Sequence, residues 1–375
     1  MPQKTLIIDD AIPYAEAIFS HLGQIKLIPG RDINSDTVKQ ADAIIIRSRT
    51  QVNAALLDTS PVRFVGSTVV GLDHIDQAWL SKQGIHFYSA QGCNANSVAE
   101  YVINGLLEIA EQKNWILPEM TLGIVGVGHV GRLVNQKAKI LGIRTLLNDP
   151  PRARCEGKND FCSLESLLKE ADIITLHTPL TKTGSDPTFH LLNENNLKLI
   201  KPNGMIINAA RGGIIDEQAW LKINNSANII DCWQNEPNIS AELYFKADIA
   251  TAHIAGHSLE AKVAGSEMVY RQLCQFWQIE PKTDWKQQLP PAPTALEPVA
   301  TDNEQRALYQ IIKQTYDLRL DDQAIRSPDI NQVRAGFELH RRQYPIRREW
   351  ALHKLKKTPN KRLNQTLEKL GFMLY

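Results

Sequence analysis

A glycine-rich turn in the middle of the chain constrains its fold more than any other feature. Gly126, Gly128 and Gly131 are spaced as G-x-G-x-x-G. The turn lies between an apolar run, 122–125, and a stretch, 132–141, whose apolar residues recur at helical spacing. The pattern predicts a buried strand that turns tightly into a helix, which is the first half of a parallel βαβ unit.

The residues after this helix complete the unit. A second apolar run, 144–147, ends at Asp149, about 20 residues past the glycines, as in dinucleotide-binding folds. The N-terminus of the helix would offer free N–H groups to a pyrophosphate. Asp149 would accept hydrogen bonds from ribose hydroxyls and disfavour a 2′-phosphate, so NAD is predicted over NADP. Arg152 and Arg154 follow closely and keep NADP open as an alternative.

Length and composition exclude several classes of protein. The 375 residues predict two or three domains, and a net charge of +1 gives no general reason to expect nucleic acid or membrane as a partner. The five cysteines form no C-x-x-C, so neither a disulfide framework nor a metal site is indicated. No apolar run resembles a secretion signal or a membrane span, and a cytoplasmic protein is expected.

Strands and helices alternate on both sides of the glycine turn, so the dinucleotide unit lies in the middle of the chain. A helix over 96–109 is predicted to lead into the unit, and one over 259–276 to return to the first domain. The other strand-like runs are 6–8, 25–28, 43–46, 64–65, 85–88, 173–177, 205–208, 229–231 and 249–252.

A proline-rich stretch, 289–298, reads as a linker to a last segment that is mostly helical. Ten Lys or Arg and two acids lie between Arg334 and Arg362. Apolar residues alternate with these basic residues, which favours a solvated face or an oligomer contact. A nucleic-acid face is the alternative.

Three side chains that could perform chemistry follow successive predicted strands. Arg211 follows the strand 205–208, where a guanidinium can hold a carboxylate through two hydrogen bonds. Glu236 and His253 follow the next two strands. A carboxylate beside an imidazole suits proton transfer near neutral pH. Because strand ends share one edge of a parallel sheet, we predict that these three residues form a catalytic group.

These motifs together resemble the D-2-hydroxyacid dehydrogenase family over roughly residues 1–285. The motifs are G-x-G-x-x-G, His177-Thr-Pro179, Asn208-Ala-Ala-Arg-Gly-Gly213, Asp231…Glu236-Pro237 and Thr251-Ala-His253. The resemblance implies an α/β fold in which a Rossmann-type doubly wound parallel sheet is inserted into a flavodoxin-like α/β substrate domain. The implied NAD-binding domain is 96–257, and the implied substrate-binding domain is 1–95 with 258–288.

The resemblance also implies roles for individual residues. Arg211 would bind the substrate carboxylate and carbonyl, His253 would take the hydroxyl proton, and Glu236 would pair with His253. The implied cofactor-binding residues are Gly126, Gly128, His129, Val130, Gly131, Asp149, Thr178, Ala209, Ala210, Asp231, Gly256 and His257.

Further motifs resemble a narrower branch of this family along nearly the whole chain. They include 71–76, 92–95, 148–152, 289–293, 316–319 and 347–350. This branch implies an α+β dimerisation domain over 289–375 that forms a homodimer. It also implies oxidation of 4-phospho-D-erythronate at C2 in pyridoxal 5′-phosphate biosynthesis. Val69 and His257 stand where this branch usually has Thr and Tyr.

The residues themselves agree with a phosphorylated substrate. Arg47, Ser48 and Arg49 follow a predicted strand and offer two cations and a hydroxyl to a phosphate. With Val69 and Arg211 they form the predicted substrate-binding set. The same short motif occurs in phosphoglycerate dehydrogenases, so oxidation of 3-phosphoglycerate is an alternative activity. A non-catalytic corepressor that senses NADH is a third possibility, because related folds serve that role.

Overall fold

The computed structural model describes residues 4–157, 159–299 and 301–375. The chain divides into two compact units. The first unit is Met1–Asn94 with Ser258–Pro291, and the second unit is Ala95–His257 with Ala292–Tyr375. The second unit joins the dinucleotide-binding residues to residues 292–375, called here the C-terminal segment. The separate domain over 289–375 therefore stays a prediction.

The first unit is built on a five-stranded parallel sheet of order β2-β1-β3-β4-β5, which is the flavodoxin-like order. Its strands are β1 (Thr5–Asp9), β2 (Gln24–Ile28), β3 (Ala43–Ile46), β4 (Phe64–Ser67) and β5 (His86–Ser89). The helices between them are α1 (Ala15–Phe19), α2 (Ala54–Leu57) and α3 (Gln77–Lys82). β3 and β4 are buried along their whole length, as expected for strands covered on both faces.

The second unit contains a six-stranded parallel sheet of order β11-β10-β9-β8-β6-β7. Its strands are β6 (Thr121–Val125), β7 (Arg144–Asn148), β8 (Ile173–Leu176), β9 (Met205–Asn208), β10 (Ala227–Ile230) and β11 (Ile249–Ala250). Beyond β7, Cys162 donates its backbone N–H to the carbonyl of Leu147 at 2.8 Å. Asn148 also donates to the Cys162 carbonyl at 2.8 Å, so this segment lies where a Rossmann sheet would have one more strand.

Helix α4 leads into β6, helices α5 to α9 connect the strands, and α10 returns the chain to the first unit. Their bounds are α4 (Ala95–Lys113), α5 (His129–Ile140), α6 (Pro150–Glu156), α7 (Leu164–Glu170), α8 (Glu217–Lys222), α9 (Ala241–Lys246) and α10 (Leu259–Trp277). α5 begins three residues before the predicted start at 132, because Gly131 lies inside its first turn. The predicted α/β class with two parallel sheets is confirmed.

In its described residues, the C-terminal segment contains four α-helices and two short paired strands. These are α11 (Glu304–Thr315), α12 (Leu318–Ile325), α13 (Ile330–Arg342), β12 (Lys354–Leu355), α14 (Lys361–Leu370) and β13 (Met373–Leu374). Ile311 and Ile312 of α11 are fully buried in one apolar cluster with residues of α4 and β6. The segment therefore contributes to the core of the second unit.

Within the part of the chain that the structure describes, no helix is both long enough and apolar enough to cross a membrane.

Candidate active site

The glycine turn has the geometry that a bound pyrophosphate requires. Gly126 has a φ of 87°, which favours glycine, and a Cβ on Gly131 would lie 2.0 Å from the carbonyl oxygen of Gly126. A Cβ on Gly128 would meet no atom within 4 Å, so its outer side is open. Gly128 is also the N-cap of α5 and gives it no side-chain hydrogen bond. The N–H groups of His129 and Val130 at this end are thus available to an anion.

Asp149 lies beside this turn at the end of β7. Its carboxylate accepts the N–H of Val127 at 2.8 Å and the N–H of Arg152 at 3.1 Å, which fixes its position and leaves lone pairs for ribose hydroxyls. Arg152 forms two hydrogen bonds with Glu156, at 2.7 and 2.5 Å, and Arg154 pairs with Asp186. Both arginines that could bind a 2′-phosphate therefore already have carboxylate partners.

Thr178, Ala209 and Ala210 lie at the same edge of the sheet. The hydroxyl oxygen of Thr178 is buried and has no hydrogen-bond partner among the described residues, so it can bond a bound cofactor. Ala209 and Ala210 directly follow β9 and are both buried. Next to Thr178, burial lowers the pKa of His177 to about 3, so this imidazole is neutral.

Glu236 and His253 form a hydrogen-bonded pair. Nδ1 of His253 lies 2.9 Å from Oε2 and 3.1 Å from Oε1 of Glu236, and the Trp233 N–H donates to Oε1 at 2.9 Å. Burial alone would raise the pKa of Glu236. The attraction and hydrogen bond of His253, the Trp233 N–H and the charge of Arg341 outweigh burial and lower it. Glu236 is thus a carboxylate, and Nε2 of His253 is left for chemistry.

Asp231 fixes the backbone around His253. Its carboxylate accepts N–H groups from Ile254 at 2.7 Å and Ala255 at 3.0 Å, and its backbone carbonyl accepts the His253 N–H at 2.8 Å. Thr251 donates its hydroxyl to the same carboxylate at 2.7 Å. These bonds stabilise His253 at a φ of 54°, in the left-handed region. Asp231 is a predicted cofactor contact. The structure shows that it also positions the backbone around His253, which the sequence did not predict.

Arg211 lies in the loop after β9, as predicted. Asn208 donates to the carbonyls of Arg211 and Cys232, both at 3.1 Å, and so ties the Arg211 loop to the loop that carries Glu236. A Cβ on Gly212 would lie 1.9 Å from the Trp233 carbonyl oxygen, so only glycine permits this approach. Arg211, Glu236 and His253 thus lie on adjoining loops of the second unit.

The thiol of Cys232 lies next to this pair. Ligand atoms of Cys232, Glu236 and His253 are all within 4.8 Å of one another. Burial, reinforced by the nearby carboxylates, raises the pKa of the Cys232 thiol well above its usual value. The protonated thiol lies 3.4 Å from the Ala210 carbonyl oxygen, so it is a poor metal ligand there.

Gly256 and His257 follow the His253 loop at the end of the 95–257 stretch. The His257 N–H donates to the Ile254 carbonyl at 2.8 Å, and its ring packs edge-on against Tyr344 of the C-terminal segment, with centroids 5.6 Å apart. The sequence did not predict that this segment reaches the site. Sequence spacing carries no signal for such a contact.

The remaining predicted substrate residues form their own group in the first unit. Arg47, Ser48 and Arg49 follow β3, and Val69 follows the neighbouring strand β4. Arg47 donates to the Ala11 carbonyl at 2.8 Å. Its charge also faces the carboxylate of Asp9, which the sequence-based site did not include.

Comparisons with known proteins agree with this arrangement. Residues 104–255 match the D-isomer specific 2-hydroxyacid dehydrogenase NAD binding domain, and residues 289–371 match a domain of unknown function, DUF3410. NAD-bound 3-phosphoglycerate dehydrogenase of Entamoeba histolytica has a similar fold. It has 24% identity and a TM-score of 0.62, over 74% of this chain and 96% of that chain.

Relatives with much higher identity match along the whole chain. The erythronate-4-phosphate dehydrogenase of Hydrogenovibrio crunogenus is 56% identical over 100% of this chain and 99% of its own length. The enzyme of the same name from Ruthia magnifica is 47% identical over 92% of this chain and 96% of its own length. The prediction of an NAD-binding oxidoreductase is confirmed. The chain belongs to the erythronate-4-phosphate dehydrogenases, a branch of the NAD-dependent D-2-hydroxyacid dehydrogenase family.

Proposed function

We propose that this chain oxidises the C2 hydroxyl of 4-phospho-D-erythronate to give 2-oxo-3-hydroxy-4-phosphobutanoate, a step in pyridoxal 5′-phosphate (vitamin B6) biosynthesis. The full-length similarity to erythronate-4-phosphate dehydrogenases supports the substrate. The observation that carries the reaction is the Glu236–His253 pair, with Nδ1 of His253 2.9 Å from Oε2 of Glu236. This pair provides a base for the hydroxyl proton.

The hydrogen bonds of His253 determine which of its nitrogens acts. Nδ1 carries the hydrogen that is donated to Glu236, so the lone pair of the neutral ring is on Nε2. Nε2 takes the proton of the C2 hydroxyl, and Glu236 stabilises the imidazolium that results. NAD, when bound by the second unit, would supply the hydride acceptor for C2. The guanidinium of Arg211 binds the substrate carboxylate and the developing carbonyl oxygen through its pair of parallel N–H donors.

NAD is the proposed oxidant, and residues of the second unit would bind it. Gly126, Gly128 and Gly131, with the N–H groups of His129 and Val130, would hold the pyrophosphate. The other proposed contacts are Asp149, Thr178, Ala209, Ala210, Asp231, Gly256 and His257. The open side of Gly128 and the unpartnered hydroxyl of Thr178 support this assignment.

The phosphate of the substrate requires cations. In the first unit, Arg47, Ser48 and Arg49 are the proposed substrate contacts, together with Val69. A phosphate removed from water must be matched by charge-assisted hydrogen bonds, which two guanidinium groups and a hydroxyl can supply.

One assay tests the proposal. The purified protein is mixed with NAD and either 4-phospho-D-erythronate or 3-phosphoglycerate, and NADH is followed by absorbance, with a separate measurement of NADH binding. Turnover of the first substrate is expected. Preferential turnover of 3-phosphoglycerate would assign the alternative dehydrogenase activity. NADH binding with no turnover of either acid would instead favour a cofactor-sensing protein.

We further propose that the chain forms a homodimer through the C-terminal segment. Three large apolar side chains of this segment, Leu320, Leu339 and Ile346, are 62%, 55% and 69% exposed, so a second copy of the chain can bury them. A truncation near residue 290 would also remove core residues such as Ile311, so surface substitutions are the better test. Leu339→Glu with Ile346→Glu should yield monomers in sedimentation. Phe245→Glu on α9, at 55% exposure, is the control.

We also place the protein in the cytoplasm. All five cysteines are free, which suits a reducing compartment.

A further inference from the structure

The C-terminal segment packs directly against the strand and loop that carry the catalytic pair. Asp322 of α12 accepts the N–H of Ala250 in β11 at 2.7 Å, three residues before His253. Arg334 of α13 donates to the Ile239 carbonyl at 2.9 Å, three residues after Glu236. Phe337 of α13 is fully buried in the same apolar cluster as Trp233. The position of α13 is thus fixed relative to the Glu236 loop.

At the end of α13, the side chain of Arg341 reaches the catalytic carboxylate. Nη1 of Arg341 lies 3.9 Å from Oε2 of Glu236, the oxygen that also accepts from His253 at 2.9 Å. The side chains of Arg341 and Glu236 are only 20% and 18% exposed, so water screens their interaction less than that of a surface pair. The carboxylate therefore lies between a histidine and an arginine.

A second arginine of the same segment binds the other catalytic loop. Arg347 is buried and donates to the carbonyl of Ala255 at 2.5 Å and to that of Ser97 at 3.2 Å. Ala255 is two residues after His253 and is itself bonded to Asp231. Arg341 and Arg347 thus contact the Glu236 loop and the His253 loop respectively, from one continuous stretch of chain.

We propose that Arg341 is a positioning residue for the Glu236–His253 pair, so that the C-terminal segment takes part in catalysis. The proposal rests on the proposed function of that pair. Arg341 acts through Glu236: its cation orients Oε2 and keeps the carboxylate ionised, which in turn orients the His253 ring. The C-terminal segment, which matches a domain of unknown function, thereby gains a role in the reaction.

Removing the Arg341 charge should change proton binding in a defined direction. The charged groups that face Glu236 are His253 and Arg341. The charge of Glu236 also affects Glu217 and Cys232. The charge of Arg211 affects Cys232 as well. Of these, Arg341 and Arg211 are permanent cations. Without Arg341, both Glu236 and His253 would bind protons more readily, so the pH at which His253 becomes a free base would rise. Glu236→Gln removes an anion and should shift the same pH in the opposite direction.

The test compares Arg341→Gln and Arg341→Lys with the wild type and with Arg342→Gln. Arg342 is the next residue on α13 and is exposed, so it is the matched control. In Arg341→Gln, the rising limb of kcat against pH should move up by about half to one pH unit, given partial exposure. At a pH below the limb this lowers kcat about three- to tenfold. Arg341→Lys should recover part of the loss, and NAD affinity should not change.

Two results would overturn the proposal. The first is a kcat–pH limb in Arg341→Gln that coincides with the limbs of the wild type and Arg342→Gln. The second is an equal loss of kcat and NAD affinity with no movement of the limb, since that would mean that Arg341 only stabilises the fold.

A measurement without turnover separates this proposal from the proposed function. Imidazole NMR titration, with the His253 signals assigned through His253→Ala, gives the protonation midpoint of the ring directly. The midpoint should be higher in Arg341→Gln than in Arg342→Gln even if no substrate is oxidised. An unchanged midpoint rejects the role of Arg341, whereas absent turnover with a changed midpoint rejects only the proposed function.

Discussion

The glycine turn and the C-terminal segment both contribute to one site, but they do so by different physical means. The turn acts through its backbone: Gly126, Gly128 and Gly131 lie within six positions, and their missing side chains are what a phosphate needs. The C-terminal segment acts through long side chains, with Arg341 reaching Glu236 from 105 positions along the chain. Local spacing encodes the first contribution, and only the fold brings about the second.

The largest effect is expected at His253, which the edge of the sheet and the C-terminal segment both position. His253 is placed by Asp231 at the sheet edge and, through Ala255, by Arg347 of the C-terminal segment. His253→Ala should lower kcat about 10²–10⁴-fold, because a positioned base is lost from the proton transfer. NAD binding, followed by fluorescence titration, should be unchanged. Near-normal turnover at every pH would mean that another group moves the proton.

The next test distinguishes steric from functional roles within the glycine turn. In Gly131→Ala the new Cβ would lie 2.0 Å from a backbone oxygen. We expect a loss of stability of about 1–3 kcal/mol, because that backbone cannot move without disturbing the turn. In Gly128→Ala the Cβ meets no atom of the described residues within 4 Å, so the expected cost is a less favourable N-cap of α5, and the melting temperature should fall less than in Gly131→Ala.

Both glycine variants should nevertheless bind NAD more weakly. In Gly128→Ala the methyl group occupies the side from which the pyrophosphate approaches. Thermal unfolding and NAD titration on the two variants separate the effects. A melting temperature for Gly128→Ala as low as that of Gly131→Ala, or unchanged NAD affinity, would contradict the assigned role of this turn.

A smaller effect is expected at Asp149, where cofactor choice depends on one side chain. Asp149→Ala should weaken NAD binding about ten- to a hundredfold, since each lost hydrogen bond to a charged group costs about 1.5–3 kcal/mol when it is well formed. The gap between NAD and NADP should narrow. Because Arg152 is already bonded to Glu156, adding Glu156→Gln should narrow the gap further. Equal use of NADP by the unsubstituted protein would refute the assignment.

The two regions also differ in how much of them the sequence predicted. The G-x-G-x-x-G spacing and the alternation of strands and helices predicted the second unit's sheet, and the strand ends predicted that Arg211, Glu236 and His253 follow successive strands. The pairing of Glu236 with His253 was implied by the family resemblance and is observed at 2.9 Å. These predictions succeed because parallel strands end at one sheet edge, whatever the loops do. Helix limits were less accurate: α5 begins at His129 because a glycine can lie within a first helical turn.

Contacts that depend on tertiary packing were not predicted. Nothing in the charge pattern of residues 334–362 distinguishes Arg341 and Arg347, which face the site, from Arg342, which is exposed. Which arginine of α13 reaches Glu236 depends on the orientation of this helix, whose Val333 and Phe337 are buried. The same applies to Asp231, whose hydrogen bonds to Ile254 and Ala255 require the loop conformation to be known.

The smallest predicted effect concerns a residue that belongs to neither region. Glu217 is the first residue of α8, a position where acids commonly lie on the surface to favour the helix dipole. Here it is 9% exposed and accepts the Gln234 N–H at 2.7 Å, two residues before Glu236. Burial raises the pKa of Glu217 to about 7, against the Gln234 N–H and with help from the charges of Glu236 and Asp216.

This raised pKa makes stability depend on pH in a known direction. The folded protein binds the Glu217 proton more tightly than the unfolded chain, whose ordinary value is 4.5. The resulting stability is present below pH 4.5 and is lost as the pH rises to 7 and above. Glu217→Gln keeps an oxygen acceptor for Gln234 and has no charge to bury. Relative to this variant, the wild type should lose about 1–3 kcal/mol of stability between these pH values, which is a few degrees in melting temperature.

Thermal unfolding at pH 4.5 and pH 8 measures the loss. The control is Glu242→Gln, which replaces an exposed acid in the first turn of α9. The prediction fails if the melting temperature of Glu217→Gln depends on pH in the same way as that of Glu242→Gln. Glu217 would then be ionised in the folded protein, and Glu236 would have no protonated carboxyl group as a neighbour.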